Sequence, residues 1–206
     1  MPPLTLANME ARIGRVSASE VAALMPEGHP FLDTRDVFDR LSGDWAPMIA
    51  NDAMRLGTIL EPAILAAAAD RWGWKVITNS HTYVHRTIPL CATPDARIAG
   101  QHALVEVKYS GNPTAWQSLP PHVWWQVQAQ MMCTGAQFVE VVVLAGPLKR
   151  WTVERNLPAA RRIGIAVRDM LDTVRDGLPP AHTIRDRSTI NTYRGDIPES
   201  ILKVKR

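Results

Sequence analysis

Thr93-Pro94-Asp95 and, further along, Glu106-Val107-Lys108 are the stretch that decides how this chain folds. Leu90-Cys91-Ala92 before the first triplet and Ala103-Leu104-Val105-Glu106-Val107-Lys108-Tyr109 around the second read as strands, and Ala99-Gly100-Gln101-His102 between them is turn chemistry. A hairpin there brings Asp95 to Glu106. Side chains alternate along a strand, so Glu106 and Lys108 share one face while Val105 and Val107 fill the other. Facing carboxylates repel, and a divalent cation between them relieves that cost. Two hard oxygen donors suit Mg²⁺ or Mn²⁺. A lysine beside them can orient or deprotonate an attacking water. Taken singly, a Pro-Asp turn and an exposed Glu-x-Lys are ordinary surface features; it is their order and strand context that make a site.

Working outward, Pro120-Pro121 starts a helix running to Thr134, with Gly135 as its stop. Phe138 to Leu144 is a nearly unbroken β-branched run, hence a buried strand, with Trp151 to Glu154 as its partner. Pro158 to Asp176 reads as a helix. Upstream, Lys75 to Thr78 and Thr82 to His85 read as strands, and Asn51 to Trp72 is the longest helical pattern, closed by Gly73. Thr34 to Leu41 is a shorter helix. Ser17-Ala18-Ser19-Glu20 is a capping box opening a helix through Leu24. Strands and helices in this order predict an α/β sandwich, a central mixed β-sheet flanked by helices.

A chain of 206 residues is enough for one domain with a sizeable core. Residues 1–9 read as a loose N-terminal arm and 181–206 as a basic tail. No apolar run approaches the roughly 18 residues of a membrane helix, and no secretory signal is visible. Cys91 and Cys133 are too few for an iron–sulfur cluster or a four-cysteine zinc site. Reduced thiols and a cytoplasmic location are therefore expected. The net charge of +3 is compatible with nucleic acid without requiring it.

Three further constellations bear on chemistry. Glu61, on the long helix with Gly57 one turn before it, is either a solvated glutamate or a third carboxylate; Pro62 beside it argues for a kink. Gln126 and Gln130, four apart, share a face of an otherwise apolar helix, while Gln128 points elsewhere. Arg12, with the hydroxyls of Ser17 and Ser19 at a helix start, makes a ready phosphate site, although a capping Ser is needed there in any case. Of the seven tryptophans, Trp72, Trp74, Trp124 and Trp125 read as core or interface. His81, His85, His102 and His122 show no metal-ligand spacing.

The Asp…Glu-x-Lys pattern resembles that of the PD-(D/E)XK nucleases. Arg12-Ile13-Gly14-Arg15-Val16-Ser17-Ala18-Ser19-Glu20-Val21, Gly57-Thr58-Ile59-Leu60-Glu61-Pro62 and Trp125-Gln126-Val127-Gln128-Ala129-Gln130-Met131, in that order, narrow it to the lambda-exonuclease-like, YqaJ-type viral recombinases. The resemblance spans Ala11 to Gly146. It implies a restriction-endonuclease-like core and a nuclease that degrades the 5′-ended strand of double-stranded DNA ends, leaving 3′ overhangs. It implies Mg²⁺, replaceable by Mn²⁺, with two ions per site. Asp95, Glu106, Glu61 and the Val107 carbonyl would hold metal, with Lys108 on the nucleophile and Gln126 on the water or phosphate. Arg12 and Ser19 would bind a terminal 5′-phosphate, with Ser17 beside them and Arg15 an alternative contact; Met54 would be an apolar wedge between terminal base pairs, although a core role is the commoner one for such a Met. A ring-shaped homotrimer and a single-strand annealing protein are the implied partners, in a bacterial host cytoplasm. The lambda member carries an arginine shortly after the lysine motif; Ser110 to Thr114 contains none. Two rival readings keep the same residues: a restriction- or resolvase-type endonuclease, and a catalytically silent DNA-end-binding module.

Overall fold

The computed structural model describes residues 6–44, 52–114 and 116–181. Its centre is a five-stranded mixed sheet in the order β2 (Val76–Thr78), β5 (Ala96–Ile98), β6 (Ala103–Tyr109), β7 (Phe138–Leu144), β8 (Leu148–Glu154). Only β6 and β7 run parallel; the other neighbours are antiparallel. The parallel pair needs a crossover, and α4 (Pro121–Thr134) supplies it. Val139 and Val141 to Val143 are fully buried, as a β-branched interior strand requires.

The alternation along β6 sorts the two faces. Ala103, Val105 and Val107 pack under α3 (Asp52–Trp72) against Ile64, Leu65 and Ala68. Leu104 points the other way and packs with Val123, Val127 and Met131 of α4. Glu106 and Lys108 follow Leu104 in phase, so they also face α4. That helix is apolar nearly all round because it is buried on two sides: its far side, with Trp125 and Ala129, meets Ile163 and Val167 of α5 (Leu157–Arg175) in a second core.

The hairpin differs from the expectation in one strand. Leu90–Ala92 (β4) does not pair with β6; Ala96–Ile98 does, and Asp95 sits just before it. β4 instead centres a small sheet, parallel to β1 (Val16–Ser17) and antiparallel to β3 (Tyr83–Val84). Pro94 cannot donate to a ladder, so the chain changes sheets there. The long helix passes through Pro62 without interruption.

Residues 18–24 form a 3-10 helix rather than an α-helix. Of the expected N-terminal arm, residues 1–5 lie outside the described residues, and Leu6–Glu10 forms a short helix, α1. Asn8 anchors it: the buried amide donates to Ser80 O (2.8 Å) and accepts from Thr82 N (2.9 Å). The expected tail lies outside the described residues beyond Ala181. No described helix is long and apolar enough to cross a membrane.

Candidate active site

Glu106 is 3% exposed and accepts three side-chain hydrogen bonds. Lys108 Nζ donates to Oε1 at 2.5 Å, Gln126 Nε2 to the same oxygen at 2.6 Å, and Gln130 Nε2 to Oε2 at 2.6 Å. The crossover explains the arrangement. α4 returns antiparallel over β6, so residues one turn apart on its inner face meet the polar positions of that strand. Both glutamines must present nitrogen to the carboxylate, because a carbonyl oxygen there would be repelled. That leaves Gln130 Oε1 buried with no hydrogen-bond partner. Gln128, on another side of the helix, is structural: it donates to Glu154 O and accepts from Asn156 N, both at 2.8 Å.

Asp95 faces this group across the hairpin, and its Oδ2 accepts from Val107 N at 2.7 Å. Burial pushes its carboxyl well above the ordinary value, and the charges of Glu106 and Glu61 push further in the same direction. Lys108 is raised as well: burial favours its neutral form, but Glu106 and Asp95 overcome that and keep the ammonium. Glu61, Asp95, Val107 and Gln126 line one cleft of about 210 Å³ with Glu106 and Lys108. A Cβ at Gly57 would meet nothing within 4 Å, so that turn of α3 stands clear.

The donor set fits a hydrated hard divalent cation. Crowded carboxylates lose their repulsion to its charge, and the orphaned Gln130 oxygen can accept from a water it carries. Among the described residues no three carboxylate, imidazole or thiol groups converge into a full ligand shell. An ion held by Asp95 and Glu106 therefore keeps water ligands, as Mg²⁺ ordinarily does.

The strain on Asp95 gives a stability test. Asp95→Asn keeps an oxygen for the Val107 N–H and removes the charge, so the metal-free variant should be more stable by about 1–2 kcal/mol. Because the folded pKa is raised, ionisation costs the fold stability as pH climbs from the ordinary 3.8 through the folded value. The advantage is full above that value and fades as pH falls toward 3.8. Thermal melts with EDTA across this range measure it; equal melting at neutral pH would show the carboxylate is unstrained.

Arg12, Ser17 and Ser19 line the same cleft. The two hydroxyls lie 3.0 Å apart, and among the described residues no carboxylate pairs with Arg12. The helix itself adds little, since it is a short 3-10 segment and the Ser17 N–H already donates to Glu20 Oε2 at 2.8 Å. Glu20 in turn accepts from Arg40, whose Nη2 also donates to Arg15 O at 2.8 Å. This pair pins the segment carrying Arg12 and the serines. It was not foreseen, because Arg40 carries no local signal.

Two expected contributors lie outside the cleft lining. The Arg15 guanidinium donates to Ala11 O and Ile13 O, curling back on its own loop. Met54 is 42% exposed on the first turns of α3, so it is not a core residue. Trp125 is buried, and Trp72 and Trp74 stack at 5.0 Å with Arg150 over both rings.

A family model described as a YqaJ-like viral recombinase domain matches residues 8–137. Comparison with curated proteins gives no match. Among solved structures, an alkaline exonuclease from Laribacter hongkongensis, LHK-Exo, aligns with a TM-score of 0.68 and 26% identity over 84% of this chain and 94% of that one. Its complex with dAMP aligns equally well at 28% identity, with the same coverage of each chain. A phage related exonuclease from Haemophilus somnus 129PT, at 10% identity, TM-score 0.63 and coverage of 80% and 96%, shows the likeness of fold alone. The core is thus of the restriction-endonuclease-like class.

Proposed function

The chain belongs to the YqaJ-like viral recombinase family, and on that footing we propose that it is a Mg²⁺-dependent exonuclease acting on double-stranded DNA ends. It removes the 5′-ended strand and leaves 3′ single-stranded overhangs for phage-type recombination. The observation that carries this reading is Glu106, clamped by Lys108, Gln126 and Gln130 and faced by Asp95, in one cleft with Arg12.

Asp95 and Glu106, with Glu61 and the Val107 carbonyl as further candidates, would hold a divalent ion, which when bound would supply charge to polarise the scissile phosphate and to acidify a water. Two such ions, or Mn²⁺ in place of Mg²⁺, suit the same donors. The chain's own groups position the rest. Gln126 and Gln130 fix the rotamer of Glu106, so the carboxylate needs no reorganisation when substrate arrives. Lys108, an ammonium on the same strand face, holds the attacking water and later the charge on the phosphate. Arg12, with Ser19 and Ser17, takes the terminal 5′-phosphate through charge-assisted bonds, which sets the polarity. Arg15 shapes the loop, and Met54, exposed on α3, would serve as the apolar wedge.

Digestion of end-labelled linear DNA with and without Mg²⁺ tests the reading. Release of 5′ label first is expected, and a 5′-hydroxyl end should be cut more slowly than a 5′-phosphate. Arg12→Ala should erase that preference, at a cost of about 1.5–3 kcal/mol. Equal rates on both ends in the unaltered protein would remove Arg12 and Ser19 from end recognition. Cleavage of closed circles as fast as linear DNA would favour the restriction- or resolvase-type endonuclease. Binding without any Mg²⁺-dependent cleavage would favour the silent module.

The family's ring-shaped trimer and an annealing partner belong to the same proposal. With a net charge of only +3, electrostatics alone would hold the chain weakly at physiological salt, so processive digestion would be easier to explain by enclosure of the DNA. A solution mass that stays near 22.9 kDa would exclude the ring.

A further inference from the structure

We propose that Phe31, His29 and His122 form an aromatic wall beside the cleft that stacks a nucleobase flanking the scissile phosphate. This rests on the nuclease reading above and adds a base-binding subsite to it.

The placement follows from helix geometry. His122, Gln126 and Gln130 are four apart in succession, so they share one face of α4. Gln130 and Gln126 both reach Glu106. His122, one turn nearer the start of the helix, continues that stripe toward the end of β6 where Lys108 lies. Burial, and then the Lys108 charge, lower its pKa to about 4, so the ring is neutral at physiological pH and lies within the ammonium's field.

Two further rings build on it. The His29 and His122 centroids are 5.2 Å apart, His29 and Phe31 5.7 Å, and Phe31 and His122 6.4 Å, all edge-to-face. Phe31 N donates to His29 Nδ1 at 3.1 Å, which uses that nitrogen's lone pair and fixes the ring. That nitrogen of His29 is thereby not open to a metal. The loop is tied to the helix a second time, by Trp125 Nε1 donating to Glu27 Oε2 at 3.1 Å. The cluster is therefore fixed to the helix that positions the catalytic glutamines.

Phe31 nevertheless remains 42% exposed. Exposed aliphatic side chains such as Leu56 and Ile59 on α3 have no π-face on which a base can stack, whereas a phenyl ring has one. A base next to a cut site presents a π-face whatever its identity, and stacking on an aromatic wall is sequence-tolerant, as degradation of arbitrary ends demands.

The test uses blunt duplexes carrying an abasic residue at the first or the second position of the 5′-ended strand. Binding is read by fluorescence anisotropy with Ca²⁺ to suppress turnover. The unaltered protein should bind one of the two abasic ends about tenfold more weakly than the complete end. Phe31→Leu, which keeps apolar volume but no ring face, should bind the complete end about tenfold more weakly and lose the discrimination. Equal affinity of the unaltered protein for all three duplexes overturns the subsite while leaving the nuclease reading standing, and needs no variant to fold. Phe31→Leu retaining full discrimination overturns it as well. Failure of the unaltered protein to bind any duplex end overturns both.

Discussion

Glu106→Ala should abolish cleavage of linear DNA and also destabilise the fold, whereas Lys108→Met should abolish cleavage with the fold intact. The two residues touch at 2.5 Å, yet their surroundings differ. Gln130 is 1% exposed, and its amide already has one unpartnered atom. Removing the carboxylate strands its nitrogen too and takes a partner from Gln126 and Lys108. Unmet buried donors cost about 1–3 kcal/mol each, so a total near 2–4 kcal/mol is expected. Lys108 is part-exposed, and Met keeps its stem while deleting the ammonium. Loss of a group that orients the nucleophile costs roughly a hundredfold to ten-thousandfold in rate. Single-turnover cleavage measured beside thermal melting separates the two. Lys108→Met within tenfold of the original rate would sink the lysine assignment. Glu106→Ala melting unchanged would show that the glutamine clamp carries no stability.

Arg40→Ala should lower stability by about 2–4 kcal/mol, although the residue does not line the candidate cleft. Its side chain is 19% exposed and that of Glu20 only 11%, so deleting the guanidinium leaves a largely desolvated carboxylate without its cation. The same change frees the Arg15 carbonyl and unpins the loop between α1 and the 3-10 helix. Preference for a 5′-phosphate end should therefore fall together with the melting temperature, by several degrees for a chain of this size. Glu20→Gln with Arg40→Ala forms the double-mutant cycle, and the pair should lose less than the sum. A melting temperature unmoved by Arg40→Ala would show that the ion pair is incidental.

Much of the frame was legible because it is written in local rules. Gly135 ends α4 with φ +77°, and Gly73 follows α3 at +65°, as helix-stop glycines do. Phe138–Leu144 is an interior strand of the sheet with the bounds its β-branched run sets. The alternation through Ala103–Tyr109 sends Glu106 and Lys108 to one face and Val105 and Val107 to the other. Each is a statement about residues close in sequence, and backbone geometry alone enforces it.

Other features depend on residues far apart in sequence. Leu90–Ala92 looks like the hairpin partner of β6 from the sequence, yet it belongs to another sheet, because Ser17 and Tyr83 arrive to pair with it. The capping box was readable from Ser17 and Glu20, but the tighter 3-10 winding was not. Arg15, matched by resemblance to a phosphate contact, turns back to its own loop once Arg40 grips the carbonyl behind it.

What the sequence by itself determined is the strand that carries Glu106 and Lys108, the turn that returns Asp95 to them, and the helix bearing the glutamines. Only the tertiary structure decided that Gln126 and Gln130 both close on Glu106, that Gln130 keeps an unsatisfied oxygen, and that His122 extends the same stripe toward Phe31. The physical reason is that periodicity fixes which side of an element a residue occupies. Which neighbour it meets there depends on how α4 is laid across the sheet, and burying the apolar faces of both settles that.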